Sequence, residues 1–98
     1  MIVDMSNFGE MLMSRSSGRE DFLKAKAYIF DESKDTDIML DFAKVKVLTP
    51  SWADEFISGL KSQDKYSVEC INTTNPSVAA ALQMVLNPID VTQYEKVV

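Results

Sequence analysis

Twice in this chain an apolar run is followed by a helix entered through a polar residue, a proline and a serine. The first corner is Thr49-Pro50-Ser51 behind "KVKVL", and the second is Asn75-Pro76-Ser77 behind "YSVECI". Proline has no N–H to satisfy and its φ is already helical, so it fits the first helical position. The polar side chain before it can accept a hydrogen bond from the free N–H groups of the first turn. Behind the first corner Trp52, Phe56 and Leu60 recur every four residues, joined by Ala53 and Ile57, which makes one helix face apolar. Behind the second, Val78, Ala81, Leu82 and Val85 recur at i, i+3, i+4 and i+7, and Asn87-Pro88 ends the helix. Strand followed by helix, used repeatedly, restricts the chain to an α/β layer.

The remaining segments fit that scheme. Residues 1–13 read as two short strands or one hairpin, broken around Ser6 and Asn7, with Gly9 free to turn. A helix follows, starting at Ser17 through a capping box with Glu20, or earlier at Ser14, and running to about Glu32. Phe22, Ala25 and Ile29 alternate there with Leu23, Ala27 and Phe30, which predicts a broad buried face. "IMLDF" reads as a buried strand, and "KVKVL" places Val45 and Val47 on one face. The tail, residues 88–98, alternates weakly and reads as an edge strand or a loose end. The expected architecture is a small mixed, mostly parallel sheet covered by about three helices. Its loops cluster at the carboxyl edge, where open α/β sheets bind their ligands. With 98 residues there is room for a single domain and no second core. A chain of this size buries about 60–65% of its unfolded surface, enough for a two-layer core and too little for a deep cavity.

Charge and residue types remove several function classes. Fifteen acids against ten bases give a net charge of −5 with no basic run, which argues against nucleic acid or an anionic membrane as partner. No apolar stretch approaches the roughly 18 residues of a membrane span, and the N-terminus, with Asp4 and no basic region, does not read as a signal peptide. Cys70 is the only cysteine and lies in an apolar run, so a reduced, cytoplasmic setting and a packing role are expected. The Asn72-Thr73-Thr74 sequon carries no weight without an export signal.

The chain has no histidine, so the usual base and metal ligand are missing. Ser51 has only Lys44 and Lys46 near it in sequence, a poor basis for a Ser–Lys nucleophile. Asp31, Ser33, Asp35 and Asp37 alternate as in a calcium loop, yet Thr36 replaces its glycine and Phe42 its final glutamate. No glycine-rich phosphate loop exists, and no metal or cofactor is expected. Asp54 and Glu55 diverge by about 100° around a helix, which speaks against a paired carboxylate site. They read as first-turn acids complementing the helix dipole. Ser51 reads either as a cap or as a phosphate-bearing position, since a helix N-terminus stabilises anions. Trp52 reads either as core or as a partner anchor. Arg15 and Arg19 are the only arginines, and Arg15 can reach a carboxylate or the anion position. The candidate partner-binding set is therefore Thr49, Ser51, Trp52, Asp54 and Glu55, with Ser14 and Arg15.

Three segments, "GEMLMSRSSGRE", "IMLDFAKVKVLTPSWADEF" and "VECINTTNPSV", resemble in order and spacing the small STAS-like domains of unknown function found in bacteria and their mobile elements. The resemblance covers roughly residues 8–86, and the middle segment is its most specific part. That family is similar to the STAS domains of anti-sigma-factor antagonists, whose strand-to-helix corner carries a serine phosphorylated by a partner kinase. By position the resemblance makes Ser51 the candidate phosphoacceptor. Thr49 stands where the antagonists carry aspartate, Pro50 replaces a first serine, and Trp52 replaces a glycine.

The leading expectation is a non-catalytic, cytoplasmic regulatory module. It docks a protein partner, a histidine-kinase-like ATPase of anti-sigma type, through residues 49–55. The alternative is a stand-alone stoichiometric inhibitor of phage type, acting through its acidic surface at Asp31, Asp35 and Asp37 with Ser51 only a cap. A third reading, a nucleotide or acyl hydrolase, requires a base that the sequence does not supply.

Overall fold

The computed structural model describes residues 1–86, so the Asn87-Pro88 helix stop and the tail reading for residues 88–98 lie outside it. Parallel pairing organises the chain. Strands β1 (Ile2–Asp4), β3 (Asp37–Asp41) and β5 (Ser67–Ile71) form a three-stranded sheet in the order β1-β3-β5. Strands β2 (Met11–Leu12) and β4 (Val47–Leu48) form a separate two-stranded sheet. Val3 lies opposite Leu40, Leu40 opposite Cys70, and Leu12 opposite Leu48, all in parallel register. The hairpin alternative for residues 1–13 is thereby corrected: β1 and β2 enter different sheets, and neither pairs with the other. A short 3-10 turn at Met5–Phe8 separates them, capped by Asp4, whose carboxylate accepts from the Ser6 amide at 3.0 Å and the Ser6 hydroxyl at 2.7 Å. Gly9, at φ +124°, ends that turn in a conformation that favours glycine.

Parallel strands need long crossovers, and helices α1 (Arg15–Ala25) and α2 (Pro50–Lys61) provide them, with α3 (Pro76–Leu86) following β5. The cover they give is one-sided. Val3, Ile38 and Leu40 point into the core and are buried, while Ile2 and Met39 on the opposite face are 66% and 37% exposed.

Helix α1 departs most from its sequence reading. Its N-cap is Ser14, whose hydroxyl accepts from the Ser17 amide at 3.2 Å, so Ser17 lies inside the helix. The helix continues as a π-helical segment at Lys26–Phe30. Phe22, Ala25 and Phe30 are buried, whereas Leu23 and Ala27 are exposed, so the buried face is narrow where the sequence predicts a broad one. The reason is a close backbone approach. A Cβ on Gly18 would lie 2.6 Å from the Trp52 carbonyl oxygen, so α1 and α2 touch there with no side chain between them.

Helix α2 follows its pattern throughout: Trp52, Ala53, Phe56, Ile57 and Leu60 are all buried. The Trp52 and Phe56 rings stack at 4.9 Å with 10° between their planes, and Phe8, Phe22 and Phe30 pack around Phe56. Helix α3 buries Val78, Ala81 and Leu82, and its N-terminal amides at Ser77 and Val78 donate to the Asn75 side chain at 2.8 and 3.3 Å.

Candidate functional site

The corner ahead of α2 is built from segments distant in sequence. The Thr49 amide and hydroxyl both donate to the Leu12 carbonyl, at 3.0 and 3.3 Å, extending the β2–β4 ladder by one residue. The second corner braces the first: the Asn75 side-chain Nδ2 donates to the Lys46 carbonyl at 3.1 Å, and the Leu48 backbone N–H donates to the Ser77 hydroxyl at 3.1 Å. The two polar–Pro–Ser motifs are therefore one unit in space. Chain entry into α1 lies against them, with Ser14 at φ +73° and ψ +146°. A non-glycine residue held there is strained, and such strain persists only where surrounding contacts fix the backbone.

Thr49 is the cap. Its hydroxyl oxygen accepts from the Trp52 amide at 3.4 Å, and Pro50 occupies the first helical position. Ser51 is one residue inside the helix, half-buried, and its hydroxyl makes no hydrogen bond among the described residues. The reading of Ser51 as a cap is thus corrected, because the adjacent threonine already does that work. Ser51 borders a shallow depression of about 350 Å³ with Arg15, Pro50, Asp54, Met84 and Val85. The structure thereby brings Ser51, Asp54 and Arg15 to one place.

Trp52 is completely buried, so its indole does not face a partner in this structure. Its ring N–H donates to the Asp21 carboxylate at 3.2 Å, which satisfies the one polar atom it carries into the core. Trp52 is a core residue at the corner, and the anchor alternative does not describe it.

Asp54 and Glu55 stand at the fifth and sixth helical positions, beyond the first turn in which the sequence reading put them. Their common partner is Arg15, whose Nη1 lies 2.9 Å from Asp54 Oδ2 and 3.2 Å from Glu55 Oε1. Adjacent carboxylates diverge, yet a long guanidinium from the facing helix spans both. The Arg15 contact holds the Asp54 carboxyl below the ordinary aspartate range, helped by the Ser58 hydroxyl donating at 3.0 Å. The same hydrogen bonds raise the Arg15 guanidinium above its ordinary value. Both Asp54 oxygens are engaged and the group is a poor proton acceptor, so it does not serve Ser51 as a base.

A depressed folded-state value fixes the sign of the pH dependence. As pH falls, the unfolded chain takes up a proton at Asp54 first, so this contact's stabilisation is whole above the ordinary carboxylate range. It is lost as pH drops through the folded-state value. Carboxyl NMR should give a lower midpoint for Asp54 than for an unpaired aspartate, and Arg15→Ala should move it up toward the ordinary value. An unchanged midpoint in Arg15→Ala would show that the guanidinium does not hold the carboxylate.

The acidic turn offers a less organised surface. Asp31 pairs with Lys26 at 2.9 Å and Asp35 with the Met1 ammonium at 3.5 Å. Among the described residues no group of three His, Cys, Asp or Glu side chains is arranged to hold a metal ion, and no helix is long and apolar enough to cross a membrane. Cys70 is partly buried, and burial pushes its thiol up to about 11, far from a reactive thiolate. Sequence reasoning missed Gly18 and Asp21, the two α1 residues that seat Trp52. The "SSG" stretch reads as a helix start, and nothing local signals that the glycine faces another backbone.

The family described as "STAS-like domain of unknown function (DUF4325)" matches residues 19–78, which include the corner, α2 and the entry to α3. Ser14 and Arg15 precede the matched stretch. No curated protein and no solved structure matches the chain. The match spans more than half of the 98 residues, and the parallel strands and three described α-helices agree with it, so the chain belongs to the family of STAS-like domains of unknown function.

Proposed function

We propose that this chain is a non-catalytic regulatory module that docks a protein partner through residues 49–55, with Ser51 as the phosphoacceptor. STAS-like domains are generally non-catalytic and suit regulatory or protein-interaction roles. The observation that carries the finer reading is the spare Ser51 hydroxyl. Thr49 has taken over the cap, so a half-buried serine remains inside a helix start beside Arg15 with no structural task among the described residues. The positive end of the helix dipole there favours added negative charge. A histidine-kinase-like ATPase of anti-sigma type is the proposed partner, in the cytoplasm, with no cofactor required. The inhibitor alternative draws less support, because Asp31 and Asp35 are already in ion pairs and Ser51 is not the cap.

Co-expression with candidate kinases of this class should phosphorylate the chain at Ser51, mapped by peptide mass spectrometry. Ser51→Asp should change partner affinity by about tenfold or more relative to Ser51→Ala, through one to three charge-assisted hydrogen bonds. Folding is not at risk, since an acid in the first turn stabilises a helix by about 0.3–1 kcal/mol. Equal affinity for wild type, Ser51→Ala and Ser51→Asp would end the switch reading.

A further inference from the structure

A second surface runs along the seam between α1 and α2, where a depression of about 460 Å³ is lined by Arg19, Phe22, Leu23, Glu55, Ser58 and Gly59. Asp54 separates it from the depression beside Ser51, bordering both. Gly59 shapes its floor: a Cβ there would meet the Phe22 ring at 2.8 Å, so the ring occupies the space a side chain would fill. Leu23 on the α1 wall is 53% exposed, a large apolar side chain with no cover. The charges are distributed unevenly. Arg15 takes both α2 carboxylates, at 2.9 and 3.2 Å, and Arg19 has no ion pair among the described residues. Arg19 and Leu23 are four apart on one helix, so their Cβ atoms lie about 5–6 Å from each other. The wall thus presents one unmatched cation and one uncovered aliphatic group a single turn apart.

We infer that this seam docks an amphipathic helix of a protein partner, one that carries a carboxylate three or four residues from a large aliphatic side chain. The carboxylate meets Arg19, and the aliphatic group enters between Leu23 and Phe22. The depression holds side chains and not a helix body, so the partner helix lies across the seam with its anchors inserted. A basic partner is disfavoured, because the acids on the α2 wall are already bound to Arg15 and Arg19 would repel it. Polyanionic nucleic acid is disfavoured by the net charge of −5 on the chain. The inference is independent of phosphorylation at Ser51.

The test is selection of 15-residue helix-forming peptides from a displayed random library on the immobilised full chain. The enriched peptides should pair Asp or Glu with Leu, Ile, Met or Phe at a spacing of three or four. A representative should lose about tenfold or more in affinity on Arg19→Glu at low salt, less on Arg19→Lys, and recover on Arg19→Glu when its own acid is changed to lysine. Leu23→Ser should also weaken it, while Ser51→Asp should leave it unchanged. Arg19 and Leu23 are exposed, so both variants keep the native near-UV circular dichroism. The inference is overturned if no peptide is enriched, if the acid–aliphatic pair is missing, or if Arg19→Glu binds as tightly as wild type. Loss of binding on Ser51→Asp would overturn it too, by placing the site at the corner.

Discussion

Trp52→Ala should be the most damaging single change in this chain. The side chain is fully buried, stacked on Phe56 at 4.9 Å and tilted against Phe8 at 6.2 Å, with its N–H on Asp21. Truncating a buried tryptophan costs about 3–5 kcal/mol through lost burial and the cavity left behind. Domains of this size are stable by about 5–15 kcal/mol in total, so a large share of the margin disappears. Urea unfolding should show the midpoint lowered by about 1 M or more. Trp52→Phe should retain most of the packing and lose the Asp21 hydrogen bond, costing about 1–3 kcal/mol. Because the indole is internal, Trp52→Phe should also leave partner affinity at the corner nearly unchanged. A large affinity loss in a fully folded Trp52→Phe would show that the ring reaches the partner after all.

Gly18→Ala should destabilise the fold although it favours the isolated helix. Alanine is better than glycine in a helix interior by about 1 kcal/mol, so propensity alone predicts a gain. The added Cβ, however, would sit 2.6 Å from the Trp52 carbonyl oxygen and 2.9 Å from the Trp52 Cα. Both are backbone atoms of a capped helix and cannot rotate away, so α1 and α2 must separate along their seam. Overpacking of this kind costs about 1–3 kcal/mol and sometimes more, which outweighs the propensity term. Each kcal/mol lowers the melting temperature of such a domain by about 4–8 °C, so calorimetry resolves the sign. A melting temperature equal to or above wild type would mean that the helices accommodate a methyl group, and the close approach would not be a constraint.

Elements whose signal lies within one turn are legible in the sequence. The proline-entered helices α2 and α3 form where the caps and the four-residue repeat of Trp52, Phe56 and Leu60 put them. What the sequence hides depends on the partner across the interface. Leu23 and Ala27 have helical spacing and apolar character, yet the contact at Gly18 is narrow and leaves both outside. Strands β2 and β4 are two residues long, so the alternation in "KVKVL" reaches the strand only at Val47, and their pairing joins segments more than thirty residues apart. At the corner, the residue set could be named from sequence, but only part of its division of labour. The Thr49 cap is local and legible, but that Trp52 is internal and that Asp54 and Glu55 grip Arg15 instead of the dipole both depend on α1 lying alongside.

The bracing of the corner has a consequence in time. Its hydrogen bonds join Thr49 to Leu12 and Leu48 to Ser77, across 37 and 29 residues of chain. Closing loops of that length costs entropy before any contact repays it, so such pairings form late in folding. A chain emerging from the ribosome cannot complete the corner until residue 77 has been made and has returned to β4. Any protein that recognises the completed corner therefore recognises only chains folded through residue 77 and, by binding them, draws the folding equilibrium toward the native state.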